Sequence, residues 1–170
     1  DYVIKYNGTE TSSAYKIYPN LTDCKITELT APLELRAGYL TDCDITGTTG
    51  SILWVLGYIQ GCVIHDNTNT RYLISDPWSI MNSVFYNNYH SGTDGYDYII
   101  SLNNSQNMDR IISGCTFGTS GYSYIVTASS SFAKIADCTF TSDSGYLSSS
   151  ARSDGTRWSA LEFTGTNKMD

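Results

Sequence analysis

Long apolar runs are missing from this chain. No stretch approaches the ~18 residues that a membrane-spanning helix needs, so no such span is expected. Charge is sparse at 16%, and basic residues are few, with 10 Lys and Arg against 17 Asp and Glu. The net charge is −7 and the pI ≈ 4.6. An acidic surface repels phosphate backbones and anionic headgroups, which argues against nucleic acid or an anionic membrane as partner. Runs of Ala, Glu, Lys, Leu and Arg, the strong helix formers, are also missing. No C-x-x-C pair occurs, so the usual zinc and dithiol spacings are excluded and no cofactor or metal is expected. No secretion signal is visible. The chain starts at Asp1 and not at Met, as expected of a processed product or a piece of a longer chain.

What is present favours strands. Hydrophobic residues make up 41% of the 170 and fall in short runs, and Tyr alone numbers 14. Ser, Thr, Asn, Asp, Gly and Tyr dominate, and Thr, Tyr and Ile suit a pleated surface. The length is enough for one domain with a real core, and residues 1–170 are expected to form a single domain.

A short pattern recurs six times. It reads L-T-D-C-K-I at Leu21 to Ile26, L-T-D-C-D-I at Leu40 to Ile45 and I-Q-G-C-V-I at Ile59 to Ile64. It continues as I-M-N-S-V-F at Ile80 to Phe85, I-S-G-C-T-F at Ile112 to Phe117 and I-A-D-C-T-F at Ile135 to Phe140. The Cys or Ser recurs after 19, 19, 21, 32 and 23 residues, so a constant strand is followed by variable loops. A period near 20 residues with one such strand per copy is the mark of a stacked solenoid. Alternation within a copy puts Cys and Ile on one face and their neighbours on the other. Directly before the Cys stand Asp23, Asp42, Gly61, Asn82, Gly114 and Asp137, the residue types that best accept a left-handed backbone. A sharp bend between two strands is therefore predicted there. All five cysteines (Cys24, Cys43, Cys62, Cys115 and Cys138) occupy this one position. A ladder of buried free thiols is expected, with disulfides between neighbouring rungs as the alternative.

A further strand follows each loop. It reads Ile52 to Leu56, Arg71 to Ser75, Tyr96 to Ser101 and Tyr122 to Thr127, with weaker versions at Leu33 to Arg36 and Tyr146 to Ser148. Partial rungs are expected at Tyr2 to Tyr6 and at Arg157 to Phe163, and a loop at Ser148 to Ser153. The predicted fold is all-β: a single-stranded right-handed parallel β-helix of about six to seven rungs.

The bend-Cys-x-Phe pattern resembles the right-handed parallel β-helix of the pectin-lyase-like superfamily, over roughly Leu21 to Ser148. That superfamily includes pectate lyases, polygalacturonases, phage tailspike depolymerases and non-catalytic adhesins, so the fold does not select the activity. The N-T-D, D-D, G-H-G and R-I-K motifs of polygalacturonase-like enzymes are absent. So are the W-x-D-H and R-x-P-x-x-R motifs of pectate-lyase-like enzymes; Asp76-Pro77-Trp78 matches neither. No catalytic residue carries over.

Columns of stacked residues supply the remaining candidates. One outward column is Thr27, Thr46, His65, Tyr86, Gly118 and Thr141, which places His65 beside Tyr86 with Asp66 adjacent. The interval after Ser83 is the longest and contains Tyr86 to Gly95. Candidates for acid and base work are His65, Asp66, His90 and Asp94, because glycosidases use paired carboxylates about 5 to 10 Å apart. Candidates for stacking on sugar are Tyr86 and a second, aromatic column of Tyr96, Tyr98, Tyr122 and Tyr124, which Tyr72 and Tyr146 join, since Tyr rings offer rigid contact area. Packing of these tyrosines within the solenoid is the alternative. Asp23, Asp42 and Asp44 offer a cation site or bend-residue bonds to backbone amides. Outward Val63 and Val84, flanked by Trp54 and Trp78, suggest a subunit contact such as a homotrimer, with a cover by the loop after Tyr86 as the alternative.

The function expected from this pattern is glycan or receptor recognition, or structural support, on an extracellular or virion surface, resembling part of a phage tail spike or fibre. The partner would be a cell-surface polysaccharide or glycan. The alternative is a polysaccharide lyase or glycoside hydrolase.

Overall fold

The computed structural model describes residues 2–4, 19–28, 34–49, 52–55, 57–93, 98–102, 109–122, 124–128, 132–141 and 146–147. The expected partial rung at Arg157 to Phe163, the loop at Ser148 to Ser153, and the candidates Asp94 and Tyr96 lie outside them. Among the described residues every regular element is a β-strand. Every pairing between these strands is parallel, and they stack into a β-solenoid.

Three long sheets run along it. Sheet I has seven strands: Tyr2–Ile4, Cys24–Thr27, Asp44–Thr46, Val63–His65, Val84–Tyr86, Thr116–Phe117 and Thr139–Phe140. Sheet II has six: Leu21–Thr22, Leu40–Thr41, Tyr58–Gln60, Ser79–Met81, Asp109–Ser113 and Phe132–Ala136. Sheet III has six: Glu34–Ala37, Ile52–Val55, Ile74–Ser75, Tyr98–Leu102, Tyr124–Ala128 and Tyr146–Leu147. A two-stranded ladder pairs Thr68–Asn69 with Tyr89–His90.

The bend between sheets II and I explains the repeat. All six predicted bend residues have left-handed φ: Asp23 +52°, Asp42 +51°, Gly61 +64°, Asn82 +48°, Gly114 +61° and Asp137 +54°. An ordinary side chain would lose about 1–2 kcal/mol there, which restricts the position to Asp, Asn and Gly. The next residue turns inward and caps the bend. The thiols of Cys43, Cys62, Cys115 and Cys138 donate to the carbonyl two residues back at 3.3–3.4 Å. Ser83 donates its hydroxyl to the Met81 carbonyl at 2.8 Å in the same way, which is why Ser can replace Cys. The cysteines are free. Contact with Cys43 together with burial holds the Cys62 thiol well above its usual range, and Cys138 and burial do the same for Cys115. These two thiols therefore stay protonated and behave as small apolar groups.

The repeat's apolar positions are the core. Leu40, Ile59, Ile80, Ile112 and Ile135 line sheet II, and Ile26, Ile45, Ile64, Phe85 and Phe117 line sheet I, all buried. Each such side chain contributes roughly 1.5–3 kcal/mol on burial. Phe85, Phe117 and Phe140 stack face to face, with centroids 4.9 and 5.1 Å apart.

A second bend leaves sheet I at Glu28, Gly47, Asp66 and Asn87, with φ of +58°, +67°, +53° and +51°. After Gly47, Asp66 and Asn87 the next residue points inward and is polar. Thr48, Asn67 and Asn88 are fully buried. Asn67 Nδ2 donates to Asn88 Oδ1 at 2.9 Å and to the Ile45 carbonyl at 3.1 Å. Thr48 donates to Asn67 Oδ1 through both its amide and its hydroxyl, at 2.9 Å each. Asn88 Nδ2 donates to the Ile64 carbonyl at 2.9 Å. These amides satisfy the backbone groups that the turn would leave orphaned inside.

Sheet III is buried on both faces at Tyr98–Leu102, where Ile99, Ile100, Ser101 and Leu102 are all inaccessible. At the corner toward sheet II, buried Arg110 donates Nη1 to the carbonyls of Asp76 (3.0 Å) and Pro77 (2.6 Å). That clamp fixes the Asp76 bend, with φ +53°, two residues before the exposed Trp78.

Candidate functional site

The outward face of sheet I gathers four polar and aromatic side chains from three successive rungs. In-register pairing places Thr46 beside His65 and His65 beside Tyr86. Asp44 belongs to the first of these rungs and Asp66 follows His65 at the second bend. Alternation turns Asp44, His65 and Tyr86 away from Ile45, Ile64 and Phe85, so their common face is set by the same pleat that builds the core.

His65 is the centre. Its Nε2 lies 3.0 Å from Asp44 Oδ1, and its Nδ1 lies 2.6 Å from Asp66 Oδ2. The imidazole side chain is only 18% exposed, against 40% for Asp44 and 53% for Asp66. Both contacts are donated hydrogen bonds only when both ring nitrogens carry hydrogen, the imidazolium form. The ring lies flat on Tyr86, with centroids 4.7 Å apart and planes 9° from parallel. Lys25 Nζ is 3.6 Å from Asp44 Oδ2 and balances that carboxylate from the preceding rung. The His65 hydrogen bond holds the Asp66 carboxyl below its ordinary value, with a smaller contribution from the Asn87 side chain. The patch is thus a held array of charge with an aromatic plate on top. Both carboxylates converge on one imidazole.

The other candidates fall elsewhere. His90 lies in the two-stranded ladder, where Nε2 donates to the Thr70 carbonyl at 3.1 Å, and its ring is 5.8 Å from that of Tyr122. No described interaction joins it to His65. Tyr122 is buried, and its hydroxyl donates to the Arg71 carbonyl at 3.2 Å. Tyr98 is half-buried and pairs in register with Tyr124, whose next partner is Tyr146. Val63 and Val84 are paired and half-buried. Among the described residues, the exposed large apolar side chains are instead Trp78 (49%), Tyr89 and Ile111 (44%). Among the described residues, no three His, Cys, Asp or Glu side chains are grouped to hold a metal ion.

Asp44 entered the sequence reading only as a neighbour of Asp23 and Asp42. Its role beside His65 follows from register, since Asp44, Val63 and Val84 share a line while His65 leans toward the rung below. The buried Asn67–Asn88 ladder was also not foreseen. Its signal is present five residues after the Cys or Ser, where Thr48, Asn67, Asn88 and Ser120 are all polar. No protein-family model, no curated protein and no solved structure matches the chain.

Proposed function

We propose that this chain is a recognition β-solenoid of an extracellular or virion surface, resembling part of a phage tail spike or fibre, which contacts a cell-surface polysaccharide or glycan through the outward face of sheet I. The observation that carries the reading is the clamping of His65 between Asp44 and Asp66 beneath Tyr86. Pre-set polar groups beside a rigid ring suit sugar hydroxyls and the apolar face of a sugar ring. A glycosidase needs two carboxylates facing each other across the scissile bond. Here both are engaged with the same imidazole, which favours binding over hydrolysis. Exposed Trp78 and Ile111, joined by the 3.4 Å bond from the Ile111 amide to the Trp78 carbonyl, support a contact between copies, such as a homotrimer.

The test is incubation with a panel of acidic and neutral bacterial polysaccharides, reading both retention and product. Retention without cleavage is expected. Turnover that disappears in His65→Ala would replace this reading with the lyase or hydrolase one. Light scattering checks the oligomer, with a stable monomer at micromolar concentration overturning the trimer.

A further inference from the structure

One face of the Tyr86 ring lies on His65. The opposite side belongs to the next rung, where the partner position is Gly118. Val84 and Phe85 pair with Thr116 and Phe117, so Tyr86 falls opposite Gly118. The Gly118 amide donates to the Phe85 carbonyl at 2.7 Å, as that register requires. A Cβ at Gly118 would sit 3.0 Å from Tyr86 Cβ, so the glycine is what keeps the strand close while leaving no side chain above the ring. One rung higher, the Thr141 amide donates to the Phe117 carbonyl at 3.0 Å, which places exposed Thr141 over Gly118.

The stack Thr46, His65, Tyr86, Gly118, Thr141 therefore has a missing plate. Two rung spacings separate Tyr86 from Thr141, about 9.6 Å for strands ~4.8 Å apart. A ring in contact with Tyr86 sits about 3.5–4.0 Å above it. The gap then holds one ring, with Thr141 within reach of its far side. Asn87 follows Tyr86 at the second bend on the platform's own rung, and the half-exposed Asp66 carboxylate lies one rung below, bound to His65. That carboxylate and the net charge of −7 repel an acidic sugar.

We infer that the gap between Tyr86 and Thr141 at Gly118 is a stacking slot for a single neutral pyranose ring, an acidic ring being disfavoured by the Asp66 carboxylate one rung below Tyr86. This rests on the glycan-recognition reading above and names its site and sugar class. Filling the slot is what Gly118 prevents, and backing the platform is what His65 does.

The test measures binding of neutral hexose and N-acetylhexosamine oligosaccharides, with galacturonate oligomers as the acidic arm. Three variants are compared: Tyr86→Ala removes the platform, Tyr86→Phe keeps it, and Thr141→Tyr fills the slot from an exposed position without crowding the strand. The intact chain is expected to bind a neutral oligosaccharide. Tyr86→Ala and Thr141→Tyr should weaken it about tenfold or more, and Tyr86→Phe should retain it. Thermal unfolding of each variant separates lost binding from lost folding. If a glycan binds but neither Tyr86→Ala nor Thr141→Tyr weakens it, the slot is wrong and the recognition reading survives. Galacturonate bound as tightly as neutral sugar overturns the sugar class. If the intact chain binds no sugar in either arm, the slot and the recognition reading fall together.

Discussion

Asn67 donates its side-chain amide to that of Asn88 at 2.9 Å in the interior of the solenoid. The same Asn88 oxygen accepts the Asn67 backbone amide at 3.3 Å, and Asn88 Nδ2 holds the Ile64 carbonyl. Asn88→Leu would leave the Asn67 amide and the Ile64 carbonyl unpaired in a buried site. At about 1–3 kcal/mol for each orphaned group, a loss of about 2–6 kcal/mol is expected in urea unfolding. A loss below about 1 kcal/mol would mean that water enters and replaces the ladder.

Left-handed φ and not side-chain size should govern the first bend. Gly61 has φ +64°, and a Cβ there would sit against the Asp42 carboxylate. Gly61→Ala is expected to cost about 1–2 kcal/mol. Gly61→Asn, although larger, should cost less, because Asn accepts this backbone and stands at the equivalent Asn82. The order of the two unfolding midpoints decides the matter, and Ala above Asn would contradict the account.

The Asp66 carboxyl is held below its ordinary value by His65. A depressed carboxylate adds stability that is fully present above its unfolded pKa, about 3.9, and is lost as pH falls through the lower folded value. Carbon-detected NMR titration should find Asp66 ionising below the ordinary Asp range in the intact chain and moving back up toward it in His65→Ala. Because Asp66 is half-exposed, the accompanying change in stability should be small and should shrink further in high salt. An Asp66 titration indifferent to His65→Ala would show that the contact is not held in solution.

Phe117 lies between Phe85 and Phe140 with both rings nearly parallel to its own. Phe117→Ala opens a cavity that neither neighbour can fill without leaving its own rung, and about 3–5 kcal/mol should be lost. Phe117→Ile, the residue type of the earlier rungs at Ile45 and Ile64, should recover most of it. Chemical denaturation reads both, and equal losses for the two variants would argue against a stacked core.

The repeat was legible because its demands are local. A left-handed bend admits few residue types, and an alternating strand repeats its apolar positions, so Asp23 to Asp137 and Ile26 to Phe140 mark themselves. The strands of sheet III were read from Tyr and Ile runs and lie within one to three residues of their expected bounds at Ile74–Ser75 and Tyr98–Leu102. The candidate site was half legible. Stacking of His65 on Tyr86 followed from their shared column, whereas the second bend at Asp66 and Asn87 went unseen because Glu28, Gly47, Asp66 and Asn87 look unrelated as letters.

The chain by itself determined the solenoid, its bends and which residues face inward, since steric limits on φ and the two-residue pleat act on each residue with its immediate neighbours. Only the tertiary structure decided which outward residues meet. Asp44, His65 and Tyr86 are about twenty residues apart in sequence and touch because rungs pair in strict parallel register. Tyr122 looked like its column mates and is instead buried with its hydroxyl on the Arg71 carbonyl. Contacts between rungs depend on the length and path of each intervening loop, and no single copy of the repeat contains that information.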